Sequence, residues 1–135
     1  EFVCSTPEGG CSSGSYDPQC GPFCSFPLGG RELRTPVFDV LVNPGGFEAL
    51  EWVADSFGTV PEGAVESCPS VDVFVGRSRD GLGKVSKDHQ ALFVALDGAE
   101  VWYKWYQVLV AKRGPALVSI LNVTYDLAAA LEGSE

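Results

Sequence analysis

The sequence predicts an all-β domain: a two-layer antiparallel β-sandwich of two related units, introduced by a disulfide-stapled, irregular N-terminal segment. Three observations predict it. Six short runs rich in Val, Leu, Phe, Trp and Tyr are set apart mostly by Gly, Pro, Asp or Asn, the punctuation of strands and turns. A shift of 68 residues lays the second half of the chain on the first. Four of the five cysteines crowd into the first 24 residues.

In chain order, residues 4–30 hold many turn formers, two Gly-Gly pairs and Gly21-Pro22, which reads as irregular chain held by disulfides. The runs Val37–Val42, Ala49–Ala54, Val71–Val75, Ala91–Leu96, Val101–Val110 and Leu117–Tyr125 read as strands. Only YDLAAALEG, from Tyr125, has a helical look, for one or two turns. Within the repeat, Gly98 meets Gly30, Glu100 meets Glu32, Val101 meets Leu33 and Tyr106 meets Phe38. Val108-Leu109-Val110 then falls on Val40-Leu41-Val42, Gly114 on Gly46, and Ile120-Leu121 on Trp52-Val53. Glycines and glutamates matched at one offset favour duplication. Residues 1–67 then form a degenerate, Cys-rich first repeat, and 68–135 a second repeat truncated at its C-terminal end, together one domain. Two such units would each bury an apolar face against the other, giving pseudo-twofold symmetry. The stretch VFVGRSRDGLGK from Val73 has TPEGGCSSGSY as its counterpart, so the first repeat is expected to have lost that strand and its basic loop.

At 135 residues the chain is long enough for a real core. Eighteen acidic against nine basic residues give a formal charge of −9, which disfavours nonspecific nucleic-acid and anionic-membrane partners. No apolar run reaches the roughly 18 residues of a membrane span, so direct membrane insertion is not expected. Starting at Glu1 rather than Met reads as a processed or trimmed product, and Glu1-Phe2 enters no argument.

Cys4, Cys11, Cys20, Cys24 and Cys68 lack any C-x-x-C pair, and His89 is the one histidine, so no metal or other cofactor is expected. Disulfides fit better and imply secretion. Two bridges on five cysteines leave fifteen arrangements and one thiol over, free or pairing a homodimer. Asn122-Val123-Thr124 is an N-glycosylation acceptor, which agrees with a secretory route.

VFVGRSRDGLGK and its neighbours suggest several chemistries. A phosphate-binding loop fails: Val85 follows Gly83-Lys84 where Ser or Thr is needed, and no helical pattern follows. Ser86, Asp88 and His89 lie together in SKDHQ, but triad members meet through the fold rather than along a strand. A polar hairpin turn is the better reading there. No carboxylate pair stands out for hydrolysis, so no catalytic residue is named and the chain is read as a non-enzyme. In VWYKWYQVL, rings fall on both faces of one strand, which reads as a central, doubly buried strand with at most one exposed ring. Sugar remains. A lysine donor with a carboxylate acceptor grips adjacent hydroxyls, and Arg77, Arg79, Asp80 and Lys84, with Glu66 and Asp72 upstream, supply both types. On chemistry alone a solvated charged turn stays ahead.

The same residues resemble a family. Trp52-Val53, Gly58 to Val65, Phe74 to Arg77, Gly83 to Val85, Phe93-Val94, Gly98 to Glu100 and Tyr106 to Leu109 follow, in order, the pattern of the DM-nine repeat. The match covers about residues 38–110, and the tandem repeat agrees with the family's habit. The resemblance implies two intertwined repeats and a mannose-binding role like that of bivalve-type lectins and the lectin-like region of natterins. It maps the sugar-contacting lysine of Gly-Lys-Val onto Lys84. The family's aspartate falls where this chain reads ESCPS, leaving Glu66 or Asp72 as substitutes, with Arg77 nearby. The expectation is a secreted, glycosylated, mannose-type lectin of recognition or defence, whose partner is a carbohydrate or glycoprotein. The alternative is an extracellular structural or protein-interaction module with a degenerate sugar site.

Overall fold

A computed structural model describes residues 1–7, 10–42, 49–68, 71–112 and 124–126. Its strands are β1 Phe2–Thr6, β2 Ser12–Tyr16, β3 Cys24–Leu28, β4 Arg31–Thr35, β5 Asp39–Val42 and β6 Ala49–Ser56, followed by β7 Val73–Ser78, β8 Gly81–Ser86, β9 Ala91–Leu96, β10 Ala99–Tyr103, β11 Trp105–Lys112 and β12 Thr124–Asp126. The chain is all-β as expected. The described strands join one antiparallel sheet in the order β12-β5-β1-β2-β3-β4-β10-β9-β8-β7-β11-β6.

That order reads alike from both ends once β1–β5 are matched to β7–β11 and β12 to β6. Pair by pair the ladders agree: Phe26 faces Leu33 as Val94 faces Val101, and Cys4 faces Val40 as Gly76 faces Val108. Two intertwined repeats therefore meet at the β4–β10 junction, where Ala99 pairs with Arg31. The sheet bends there, and β2 comes to lie over β8. Ser13 Oγ donates to the carbonyl of Gly83 at 2.8 Å, and Ser67 Oγ donates to Ser13 Oγ at 2.8 Å. The disulfide Cys11–Cys68, with Cα atoms 5.8 Å apart, ties the layers together.

Three expectations are corrected. Residues 4–30 are not irregular: they form β1, β2 and β3, stapled by Cys4–Cys24. The first repeat has accordingly kept its hairpin, with β1 on β2 matching β7 on β8. Serines hide these strands from a hydrophobicity pattern. Ser12 and Ser13 are buried because their hydroxyls donate to the carbonyls of Pro27 and Gly83. Third, Val101–Val110 is two strands broken at Lys104, not one central strand. Its rings divide: Tyr106 is buried, whereas Trp102 is 60% and Trp105 72% exposed.

Thr124 and Tyr125, the end of the expected strand Leu117–Tyr125, are in β12, as is Asp126, expected with Tyr125 in a helical turn; residues 117–123 of the strand and 127–133 of the turn lie outside the described residues. Gly46, Gly114, Ile120, Leu121 and Asn122 also lie outside them. Tyr125 faces Leu41 as Trp52 faces Leu109, so Tyr125 takes the place of Trp52 in the ladder.

Each half has its own core. Cys4, Tyr16, Cys24, Phe26, Phe38 and Val40 pack in the first; Phe74, Val85, Leu92, Val94, Tyr106 and Val108 pack in the second. A shared constraint shapes both. A Cβ on Gly14 would lie 2.0 Å from the carbonyl oxygen of Ser25, and one on Gly83 would lie 2.0 Å from that of Phe93. The glycine before Lys84 is thus required by the close approach of β9.

Candidate carbohydrate site

Lys84 lies on β8 opposite Phe93 of β9, which in turn faces Trp102 of β10. Direct partners in an antiparallel ladder share a face, so these three side chains form a row across three strands. Glu100 lies two residues from Trp102 on that face. Its Oε2 is 3.8 Å from Lys84 Nζ, and both side chains are largely covered, at 14% and 13% exposure. Burial pushes the Lys84 ammonium below its ordinary pKa, and the Glu100 charge pulls it part of the way back.

Glu100 is held from behind. Its Oε1 accepts the amide of Gly30 at 2.9 Å, across the junction between repeats. The arrangement is reciprocal: Glu32 Oε1 accepts the amide of Gly98 at 2.8 Å. Backbone bonds frame the pair, Glu32 N to Gly98 O at 3.0 Å and Glu100 N to Gly30 O at 3.1 Å. The duplicated Gly-x-Glu thus has a structural role as a lock between repeats.

The other expected residues are not assembled around Lys84. Glu66 bridges Phe74, which places it on the opposite face of the sheet. Asp72 is exposed before β7, where its carbonyl accepts the amide of Lys87. Arg77 shares the face but is engaged elsewhere: its Nε donates to Gln107 Oε1 at 2.8 Å, and its guanidinium stacks 4.3 Å from the Trp52 ring. In the β7–β8 turn, Arg79 is exposed and Asp80 Oδ2 accepts the Tyr103 hydroxyl at 2.5 Å. The carboxylate that meets Lys84 is therefore Glu100, which sequence reasoning did not name as a site residue. Its signal was present in the Gly-x-Glu matched between repeats.

SKDHQ forms the β8–β9 turn, as expected. Ser86 Oγ lies 3.0 Å from His89 Nδ1, and the His89 amide donates back to Ser86 Oγ at 3.3 Å, which is a turn closure. Cys20 is the free thiol among the described cysteines. Asp17, whose Oδ2 accepts its Sγ–H at 3.6 Å, pushes that exposed thiol up from its ordinary pKa. Among the described residues no cluster of His, Cys, Asp and Glu is arranged for a metal.

The family model of the DM9 repeat matches residues 2–101. The chain belongs to the DM9 repeat family, the one the residues resembled. It is 42% identical to Natterin-3 of Thalassophryne nattereri over 130 residues, covering 96% of this chain and 34% of that relative. Against Natterin-4 of the same fish it is 36% identical over 127 residues, 94% of this chain and 32% of the relative. The chain thus spans about a third of the length of the curated relatives it matches.

Proposed function

We propose that this DM9 chain is a secreted, non-enzymatic module that binds a mannose-type sugar at Lys84, Glu100 and Trp102. The observation that carries the reading is the Lys84–Glu100 pair beside the exposed Trp102 ring on one face. The ammonium donates to one sugar hydroxyl, the carboxylate accepts from its neighbour, and the indole offers a flat apolar face to the sugar's C–H edge. Partial burial sharpens both polar contacts, since competition from water is reduced. Hydrogen bonds to charged groups contribute about 1.5–3 kcal/mol each, and association opposes them. A single site of this kind gives weak binding, about millimolar. Two disulfides among the described cysteines support an oxidising, extracellular setting, in which Asn122 would carry a glycan. Residues 1–67 and 68–135 stand as the two repeats of one domain.

Calorimetry with methyl α-mannopyranoside tests the reading: the natural chain releases heat, and Lys84→Ala and Glu100→Gln each abolish it. Absence of heat from the natural chain, or full binding by both variants, defeats it.

A second reading, a protein-interaction module, is favoured by a different observation. Phe57 is 50% exposed and meets the exposed Trp105 ring edge-on at 5.1 Å, an apolar patch at the other end of the Trp102–Trp105 stretch. If Phe57→Ser with Trp105→Ser leaves sedimentation and partner capture unchanged, that reading fails.

A further inference from the structure

The reciprocal Gly-x-Glu lock has a second consequence. Across the junction from Lys84 lies a shallow depression of about 510 Å³, lined by Glu32, Arg34, Ala95, Leu96, Asp97 and Gly98. Under the pseudo-twofold these residues answer to Glu100, Trp102, Pro27, Leu28, Gly29 and Gly30, which are the ground beside the Lys84 site. The depression therefore lies on ground that the repeat duplicates, with different side chains in the two copies.

Those side chains are equipped to hold a ligand. Arg34 shares a face with Glu32 and lies over the Phe23 ring at 4.7 Å from its centroid, which fixes the guanidinium plane. Among the described residues no carboxylate lies within ion-pair distance of Arg34. Asp97 is exposed at the β9–β10 turn, and its carboxylate has no partner among the described residues. Glu32 is held rigid by the Ser25 hydroxyl and the Gly98 amide. A forked donor and a free acceptor thus face one concavity of ligand size.

We propose that this depression is a second carbohydrate site, taking one neutral pyranose residue and making the chain bivalent. Arg34 donates through its fork to two vicinal hydroxyl oxygens, and Asp97 accepts from a hydroxyl at the opposite end. Two carboxylates against one guanidinium, in a chain of net charge −9, disfavour an acidic sugar. The proposal rests on the lectin reading above, but it uses a different set of residues.

The lock supplies separate reporters for the two sites. The Gly30 amide is bonded to Glu100 and the Gly98 amide to Glu32. In a titration of the whole chain with methyl α-mannopyranoside followed by ¹H–¹⁵N NMR, both glycine amides and the Arg34 Nε–H signal shift and saturate. Arg34→Ala weakens the Gly98 response at least tenfold and leaves Gly30 intact; Lys84→Ala does the reverse. Asp97→Asn, which tolerates the left-handed backbone at φ 52°, behaves as Arg34→Ala and guards against misfolding. Movement of Gly30 alone overturns the second site and leaves the first standing. Movement of Gly98 that survives both Arg34→Ala and Asp97→Asn also overturns it, because the shift then arrives through the junction. If neither glycine moves, both sites fall.

Discussion

The two halves of the sheet have one ladder and two solutions to filling it. In the second half, Leu92 packs over Gly76, where a Cβ would lie 3.0 Å from Leu92 Cδ1. In the first half the matching positions are Cys24 and Cys4, joined by a disulfide with Cα atoms 6.0 Å apart. The polar face differs as sharply. Lys84, Phe93 and Trp102 answer to Ser15, Ser25 and Arg34, while Glu100 and Glu32 are the same. What both halves share is the frame: the glycines at close approaches and the glutamates of the lock. What they do not share is the core filling and the chemistry of the exposed face.

Breaking the covalent side of that comparison should have the largest effect. Cys11–Cys68 closes a loop of sequence separation 57 and Cys4–Cys24 one of 20. Chain-entropy arguments give about 4 and about 3 kcal/mol respectively. Cys11→Ser with Cys68→Ser should therefore lower the free energy of unfolding in urea by more than Cys4→Ala with Cys24→Ala. Leu92→Ala, on the half without a bridge, should cost about 2–5 kcal/mol, because Leu92 is fully buried and Gly76 cannot fill the void. If Leu92→Ala costs less than 1 kcal/mol, the equivalence between leucine packing and disulfide is wrong.

The lock comes next. The Ser25 hydroxyl is the main influence holding the Glu32 carboxyl below its ordinary pKa of 4.5, with further help from the Gly98 amide and Arg34, against the effect of burial. A carboxyl depressed on folding stabilises the fold above its unfolded pKa, and that contribution is lost as pH falls through the folded value. Stability should thus decline from about pH 4.5 downward. Glu32→Gln should flatten that part of the profile in thermal melts between pH 3 and 6, and an unchanged slope would remove Glu32 from the account.

How much of this was legible in the sequence varied with the chemistry of each strand. β5, β7 and β9 announce themselves because Val, Leu, Phe and Ala carry their packing. β2 does not, since SSGSY buries hydroxyls whose partners are carbonyls on strands still to be placed. β8, GLGKVS, is glycine-rich because β9 comes too close for a Cβ at Gly83. Lys84 was reachable through the family resemblance. Glu100 was visible in the Gly-x-Glu matched between repeats, but its meeting with Lys84 was not, because the 3.8 Å between them is created by strand order, with β9 lying between β8 and β10. The division between exposed Trp102 and buried Tyr106 falls across the break at Lys104, whose Nζ donates to the carbonyl of Gln90 at 2.8 Å. Such a tertiary bond leaves no periodic trace.

The smallest effect falls at Lys84 itself, and its sign separates a binding residue from a structural one. Burial lowers the Lys84 pKa from its ordinary 10.5 despite Glu100, so the folded chain holds that proton less readily than the unfolded chain does. Protonation of Lys84 then favours unfolding. Stability should rise as pH climbs from the depressed folded value toward 10.5, with no further contribution above it. Lys84→Met keeps the aliphatic stem and removes the ammonium, so it should raise the melting temperature slightly at pH 7 and erase the alkaline rise. The same variant should lose sugar binding. A fold that retains a charge at a cost to its own stability is explained by a ligand that needs the charge, and Ser15, at the matching position of the other half, carries no such charge. Were Lys84→Met to melt lower than the natural chain, the Lys84–Glu100 pair would be a strut between β8 and β10, and the interaction-module reading would gain.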